Sequence, residues 1–310
     1  MPLLDERARG VFIVAATPFD ESGAIDFGST DRMVDFYLSH GISGLTLLGM
    51  MGEAQKLSAR ESGSFVRHVA RRVNGAVPLV VGVSSPSFVA IRELARSVMD
   101  DGCAGVMVAP PNTLRTDDQI FNFFELAAQH LEQTPWVLQD FPLSTGVQIT
   151  SAVLKRLIDS LPTLVMLKHE EWPGLNKIST LRCASDKGET RRISVLVGNG
   201  GMFLVEELER GADGAMTGFA YPEMMVEVCK AHEAGNPERA RDLFDAYMPL
   251  MRYEQQPGIG LAVRKYVLTR RGVLASAVLR EPRAALSALD VAEIEVLLAR
   301  QSRRLKELGA

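Results

Sequence analysis

The chain has 310 residues and a mass of 33.9 kDa. Apolar residues make up 46% and charged residues 23%, with a net charge of −4, which is globular composition and excludes a collagen-like or disordered chain. No tract of Lys or Arg forms a nucleic-acid footprint, and no run approaches the ~18 uncharged apolar residues of a membrane span. The charged N-terminal segment carries no signal-peptide pattern, so a cytoplasmic protein with no nucleic-acid or membrane partner is expected.

Eight short, near-continuous apolar runs recur along the first 230 residues: Val11–Thr17, Leu45–Leu48, Leu79–Val83, Val106–Ala109, Trp136–Phe141, Leu164–Lys168, Val195–Gly198 and Ala215–Gly218. Runs without polar alternation suit parallel strands buried on both faces. Longer amphipathic stretches follow them. The first runs from Asp26 to Ser39, and Ser58 with Glu61 forms a capping box that opens the next. Ser87 to Asp100, Asp117 to Glu132, Ser151 to Ser160, Leu175 to Ala184, Met202 to Arg210 and Pro222 to Ala234 complete the helical set.

A G-x-x-G pattern joins helix to run three times, at Gly41–Gly44, Gly102–Gly105 and Gly211–Gly214. The first glycine suits a left-handed helix cap, and the second suits close packing of helix on strand. Eight such units predict an α/β fold, a (β/α)8 TIM barrel, over residues 1–234. A doubly wound open sheet is the alternative, but no G-x-G-x-x-G follows the first run. Beyond Gly235 only helical patterns remain: Asn236 to Ala246, Gly258 to Arg271 and Val291 to Leu308. They predict a C-terminal helical extension over residues 235–310.

Active sites of such barrels lie at the carboxyl ends of the strands. Lys168 ends the sixth run after Leu-Val-Met-Leu, whereas the other seven lysines fall in helices or loops where an ammonium stays solvated. Desolvation favours the neutral amine, which attacks a carbonyl to form a Schiff base. A salt bridge to Asp140 or Glu170 is the structural alternative. His169, Glu170 and Glu171 form a possible acid/base group, with His169 expected to point outward because neighbours on a strand alternate. Gly198-Asn-Gly-Gly201 reads as a tight turn or an anion loop. The histidines and the three cysteines show no metal spacing, so neither metal nor cofactor is expected.

These strand-end residues resemble the dihydrodipicolinate synthase and N-acetylneuraminate lyase superfamily of class I aldolases. The similarity runs from about Gly10 to Leu279. Val11 to Phe19 resembles the family's opening strand and its T-P-F ending. Gly49-Met50-Met51-Gly52-Glu53 stands for G-T-T-G-E, and Gln139-Asp140-Phe141-Pro142-Leu143-Ser144-Thr145-Gly146 for Y-N-x-P-x-x-T-G. The family's imine lysine falls on Lys168, and Lys265 with Leu268 fits its C-terminal region. The resemblance implies a 2-oxo acid substrate, commonly pyruvate, and a homotetramer or homodimer.

Four departures accompany it. Met50 and Met51 replace two threonines that hold the 2-oxo acid carboxylate and relay protons. Gln139 replaces the tyrosine acid/base, Pro110-Pro111-Asn112 lacks a second tyrosine, and Ser144 replaces an arginine that binds the aldehyde's carboxylate. Each removes a defined role and argues against dihydrodipicolinate synthase activity itself. The expected site is therefore Lys168, Gln139 and Asp140 for chemistry, with Thr17, Met50, Met51 and Gly198 for substrate. Asp140, which must swing inward to serve, and Tyr221 are the candidate replacement acids; Glu53 reads as a structural carboxylate bonding loop N–H groups. The reading is a Schiff-base lyase or aldolase, or a hydratase, with an apolar acceptor pocket. The alternative is a ligand-binding pseudoenzyme without efficient proton transfer. A phosphate-binding barrel using Gly198–Gly201 is a third.

Overall fold

In the computed structural model, which describes residues 2–172 and 174–309, eight parallel strands close on themselves in sequence order. They are β1 (Gly10–Val14), β2 (Gly44–Leu47), β3 (Leu79–Gly82), β4 (Gly105–Val108), β5 (Trp136–Asp140), β6 (Leu164–His169), β7 (Ser194–Val197) and β8 (Gly214–Thr217). Each lies within one of the apolar runs or within a few residues of its ends. The barrel helices are α1 (Phe27–Ser39), α2 (Ala59–Val73), α3 (Phe88–Asp100), α4 (Asp117–Leu131), the single turn α5 (Pro142–Thr145), α6 (Ser151–Ser160), α7 (Leu175–Asp186), α8 (Leu204–Glu209) and α9 (Pro222–Glu233). The chain therefore has the (β/α)8 fold that its repeats predict.

Local signals account for most boundaries. Asp26, Ser58, Ser87, Thr116 and Thr150 each accept a hydrogen bond from the N3 amide of the helix they open, and the Ser58–Glu61 capping box is complete. In the G-x-x-G pattern the first glycines, Gly41, Gly102 and Gly211, all take positive φ. The second glycines serve a different contact from the one expected. A Cβ at Gly44 would meet the Phe12 ring at 2.2 Å, and one at Gly214 would meet the Gly10 carbonyl at 1.9 Å. They let neighbouring strands and lumen side chains approach, rather than helix and strand.

Two apolar layers result. Alternate strand residues such as Val11, Ile13, Leu45 and Leu47 join the helices in the outer core. The inner set, including Phe12, Val14, Val80, Met107, Met166 and Met216, fills the lumen. Beyond the barrel, α10 (Pro237–Glu254), α11 (Gly260–Arg270) and α12 (Ala288–Glu307) form the C-terminal helices. Leu243, Leu250, Val263 and Val267 join the same outer core, so the extension packs on the barrel instead of standing apart. Buried charges tie it down: Lys265 Nζ meets Glu53 Oε1 at 2.8 Å, and the Arg264–Glu254 pair within the extension, 2.6 Å apart, accepts from the Ala220 amide through Glu254 Oε2 at 3.2 Å.

Candidate active site

Lys168 stands on β6 facing the lumen, 4% exposed, in register with Gln139 of β5 and Leu196 of β7. The strand period puts Met166, Lys168 and Glu170 on one side and Leu167 and His169 on the other. Met166 belongs to the lumen cluster and Leu167 to the outer core, as that period requires. Glu170, 5% exposed, brings Oε2 to 3.0 Å from Lys168 Nζ. Gln139 Nε2 donates to the same oxygen at 2.7 Å. The result is a compact group of amine, carboxylate and carboxamide at the mouth of an apolar lumen.

The loop after β7 makes room for this carboxylate. A Cβ on Gly198 would lie 2.2 Å from Glu170 Cγ and 2.3 Å from its Oε1. Asn199 Nδ2 donates to the Glu170 carbonyl at 3.0 Å, while the Asn199 amide reaches Oε1 only at 3.5 Å. The Gly200 amide donates to Thr217 Oγ1 and the Gly201 amide to the Gly198 carbonyl. The amides of this loop are thus committed within the protein, which removes the basis for a phosphate cradle.

Asp140 does not reach the lumen. It points into the helix layer, where Oδ2 accepts from Lys177 Nζ at 2.8 Å and lies 3.8 Å from His169 Nδ1. Lys177 also donates to the Ile149 carbonyl and pairs with Glu171 at 3.1 Å. This ionic knot pins the ends of β5 and β6 from outside, so Asp140 is unavailable as an acid/base without breaking it. His169 points outward as expected, with Nε2 3.0 Å from the Gly174 carbonyl.

Thr17 is also placed differently from the expectation. It is fully buried and donates its hydroxyl proton to the Gly52 carbonyl at 2.6 Å, anchoring the loop after β2 instead of presenting a free hydroxyl to substrate. Met50 and Met51 stand on that loop, half-buried. Met51 packs against the lumen cluster, and Met50 Sδ accepts from Ser144 Oγ at 2.9 Å. Met50 and Gln139 help to line a cavity of about 290 Å³ at the carboxyl ends of β2 to β5, with Ser84 and Met107. A larger cavity, about 550 Å³, lies at the opposite end of the barrel among Gly10, Gly41 and Asp213, remote from Lys168.

Tyr221 packs against Phe219 and Tyr247, under the Arg271 guanidinium. It serves the junction with the extension. Glu53 is a structural carboxylate, though its partners are cationic: Lys265 at 2.8 Å and Lys56 at 2.9 Å, plus the Arg280 amide at 3.0 Å. Two lysines besides Lys168 are buried, contrary to expectation, namely Lys177 and Lys265. Burial pushes Lys265 down to about 8, the nearby Glu53 charge opposing. That perturbation marks no reactive amine, because Lys265 is fully enclosed by Glu53 and the Val278 carbonyl. Burial likewise pushes the Cys103 and Cys229 thiols up to about 12, which makes both poor nucleophiles.

The residue that sequence reasoning underrated is Glu170. It stood in the acid/base group after β6 but outside the chosen set. Its signal was present, because the residue two places after Lys168 must share its side of the strand. Thr46 is a second lumen-facing polar residue that was missed; it is fully buried and its hydroxyl has no hydrogen-bond partner among the described residues.

A closed eightfold barrel with a buried lysine at the carboxyl end of β6, beside a carboxylate, defines a lysine-centred (β/α)8 protein of the aldolase or lyase type. The chain belongs to the dihydrodipicolinate synthetase family, whose family model matches residues 7–301. It is 30% identical to L-2-keto-3-deoxyarabonate dehydratase of Azospirillum brasilense over 283 residues, 89% of each chain. It is 29% identical to 4-hydroxy-tetrahydrodipicolinate synthase of Oceanobacillus iheyensis over 244 residues, 78% of this chain and 80% of that one. The crystal structure of a dihydrodipicolinate synthase from Rhodopseudomonas palustris superposes with a TM-score of 0.95 at 48% identity, covering 97% of this chain and all of that one. Membership supports an activity of the aldolase or lyase type.

Proposed function

We propose that the protein is a Schiff-base-forming lyase, an aldolase or hydratase, that acts on pyruvate or another 2-oxo acid through Lys168. The observation that carries this reading is the burial of Lys168 at the lumen mouth on the carboxyl end of β6; its 3.0 Å contact with Glu170 is the salt bridge weighed as the structural alternative, and it also sets a proton acceptor beside the amine. An amine there adds to a ketone carbon, and the resulting iminium draws electrons from the neighbouring carbon. That polarisation serves carbon–carbon cleavage, condensation and β-elimination of water alike. The dehydratase and synthase activities named for the two curated relatives span this range.

Met50, with Leu48, Val83 and Met107 of the same cavity, gives the acceptor side an apolar wall, which suits an aromatic or otherwise apolar aldehyde better than a dicarboxylate; Leu143, expected in that wall, is exposed. No arginine stands at the position of Ser144 to hold a second carboxylate. The chemistry needs no metal or organic cofactor. We expect a homotetramer or homodimer, to be checked by light scattering at micromolar concentration.

Borohydride trapping with pyruvate, read by intact and peptide mass, tests the proposal. The expected result is a reduced adduct on Lys168 that is lost in Lys168→Ala. No adduct with pyruvate or a panel of larger 2-oxo acids refutes it. The non-ionisable Gln139 favours a second reading, a pseudoenzyme that binds a 2-oxo acid without turning it over. Turnover with a panel of aldehydes and 2-oxo acids separates the two.

A further inference from the structure

We infer that Glu170 is the group that moves the C3 proton of the lysine-bound 2-oxo acid, a catalytic role that the missing tyrosine leaves open. The inference rests on the lyase reading of Lys168. It is carried by the contact between the Glu170 carboxylate and the reacting nitrogen, and by the space that Gly198 leaves for that carboxylate.

The carboxylate's two oxygens are in different situations. Oε2 faces Lys168 Nζ at 3.0 Å and accepts from Gln139 Nε2 at 2.7 Å. Among the described residues, Oε1 has only the long 3.5 Å contact to the Asn199 amide. A buried carboxylate oxygen with so weak a donor keeps lone-pair capacity for an incoming proton. The substrate carbon to be deprotonated lies one bond beyond the imine carbon, and hence beside the nitrogen that Glu170 already faces. Gln139 acts as a positioning residue here. Its amide fixes the carboxylate without exchanging protons, so acid/base work passes from the β5 position to β6.

The ionisable candidates singled out by the sequence are engaged elsewhere. Asp140 is held by Lys177, His169 points to the Gly174 carbonyl, and Glu53 is held by Lys265 and Lys56. Tyr221 lies under Arg271 at the extension.

The step balances as follows. The C3–H bond of the iminium breaks and its proton goes to the Glu170 carboxylate. The released pair forms the C2–C3 double bond, and the C=N π pair moves onto the Lys168 nitrogen. A neutral enamine and a neutral carboxylic acid result. In the cleavage direction the same acid returns its proton to C3.

The experiment measures exchange of the pyruvate methyl protons with deuterium oxide by NMR, alongside borohydride trapping in the same preparations. Wild-type protein is expected to exchange and to trap. Glu170→Gln is expected to keep the Lys168 adduct and to lose exchange by about 100-fold or more, the usual scale for a missing acid/base. Glu170→Asp keeps the charge but withdraws the carboxylate by one methylene, and an intermediate rate is expected. It also serves should the glutamine variant fail to fold. Trapping with exchange within threefold of wild type in these variants overturns the assignment and leaves Lys168 chemistry intact. Absence of any adduct in the wild-type protein overturns the lyase reading and this assignment with it.

Discussion

Substitution of Gly198 by alanine tests the site with one methyl group. Gly198 has φ −111°, outside the left-handed region that favours glycine, so the test rests on the space beside it. The added Cβ would sit 2.2 Å from Glu170 Cγ, 2.3 Å from Oε1 and 2.4 Å from Cδ. Carbon atoms in contact need roughly 3.5–4.0 Å, so the carboxyl must withdraw by more than 1 Å. That movement breaks the 3.0 Å approach to Lys168 and the 2.7 Å bond from Gln139 together. A misplacement of about 1 Å at a reacting group can cost on the order of 100-fold in rate. We therefore expect Gly198→Ala to slow deuterium exchange into pyruvate by about 100-fold while borohydride still traps pyruvate on Lys168. A thermal melt establishes that the variant is folded. Wild-type exchange in a folded Gly198→Ala protein would refute the reasoning, because it would show that the position of Glu170 does not matter.

Three further predictions concern stability. Burial pushes the Glu207 carboxyl from 4.5 to about 8, with the charges of Glu206 and Glu170 adding, so the folded protein keeps a proton that the unfolded chain releases. Stability from this group is fully present below pH 4.5 and is lost as pH rises through 8. Glu207→Gln is thus expected to match wild type near the lower value and to gain with pH, to a ceiling of about 5 kcal/mol; a pH-independent difference in urea unfolding between the two proteins contradicts this. Arg264→Leu leaves Glu254 buried without its cation and is expected to cost about 3–5 kcal/mol. In the same assay Arg264→Met with Glu254→Gln should cost less, and equal losses would show that the pairing is immaterial. Ser58→Ala removes the α2 capping box and is expected to lower stability by about 1 kcal/mol, with no change in pyruvate trapping.

The fold was legible because its signals are local. Eight apolar runs, the helix caps at Asp26, Ser58 and Ser87, and three G-x-x-G junctions each act within a few residues. Two helix boundaries differ by two or three residues, each for a local reason. The helix expected from Met202 begins at Leu204, because Asn199–Gly201 form a separate tight turn. The last helix begins at Ala288 under its own Ser287 cap, three residues before Val291. For the site, the strand period was enough to place Lys168 and Gln139 in the lumen and to send His169 outward. The same period applied to Glu170 would have added the one acidic neighbour that matters.

By itself, then, the sequence determined the barrel, the end of it that carries the chemistry, and the lysine at its sixth strand. Each follows from short-range periodicity or from the residue type at a strand end. Tertiary structure decided which charged groups surround that lysine. Asp140 went to Lys177 of α7, and Glu53 to Lys265, which is 212 residues away. Glu170 found its place because Gly198, on another strand's loop, leaves room for it. Apart from the two-residue step from Lys168 to Glu170, partner choice among buried charges depends on which side chains the closed barrel brings within a few ångströms, and no spacing along the chain encodes that.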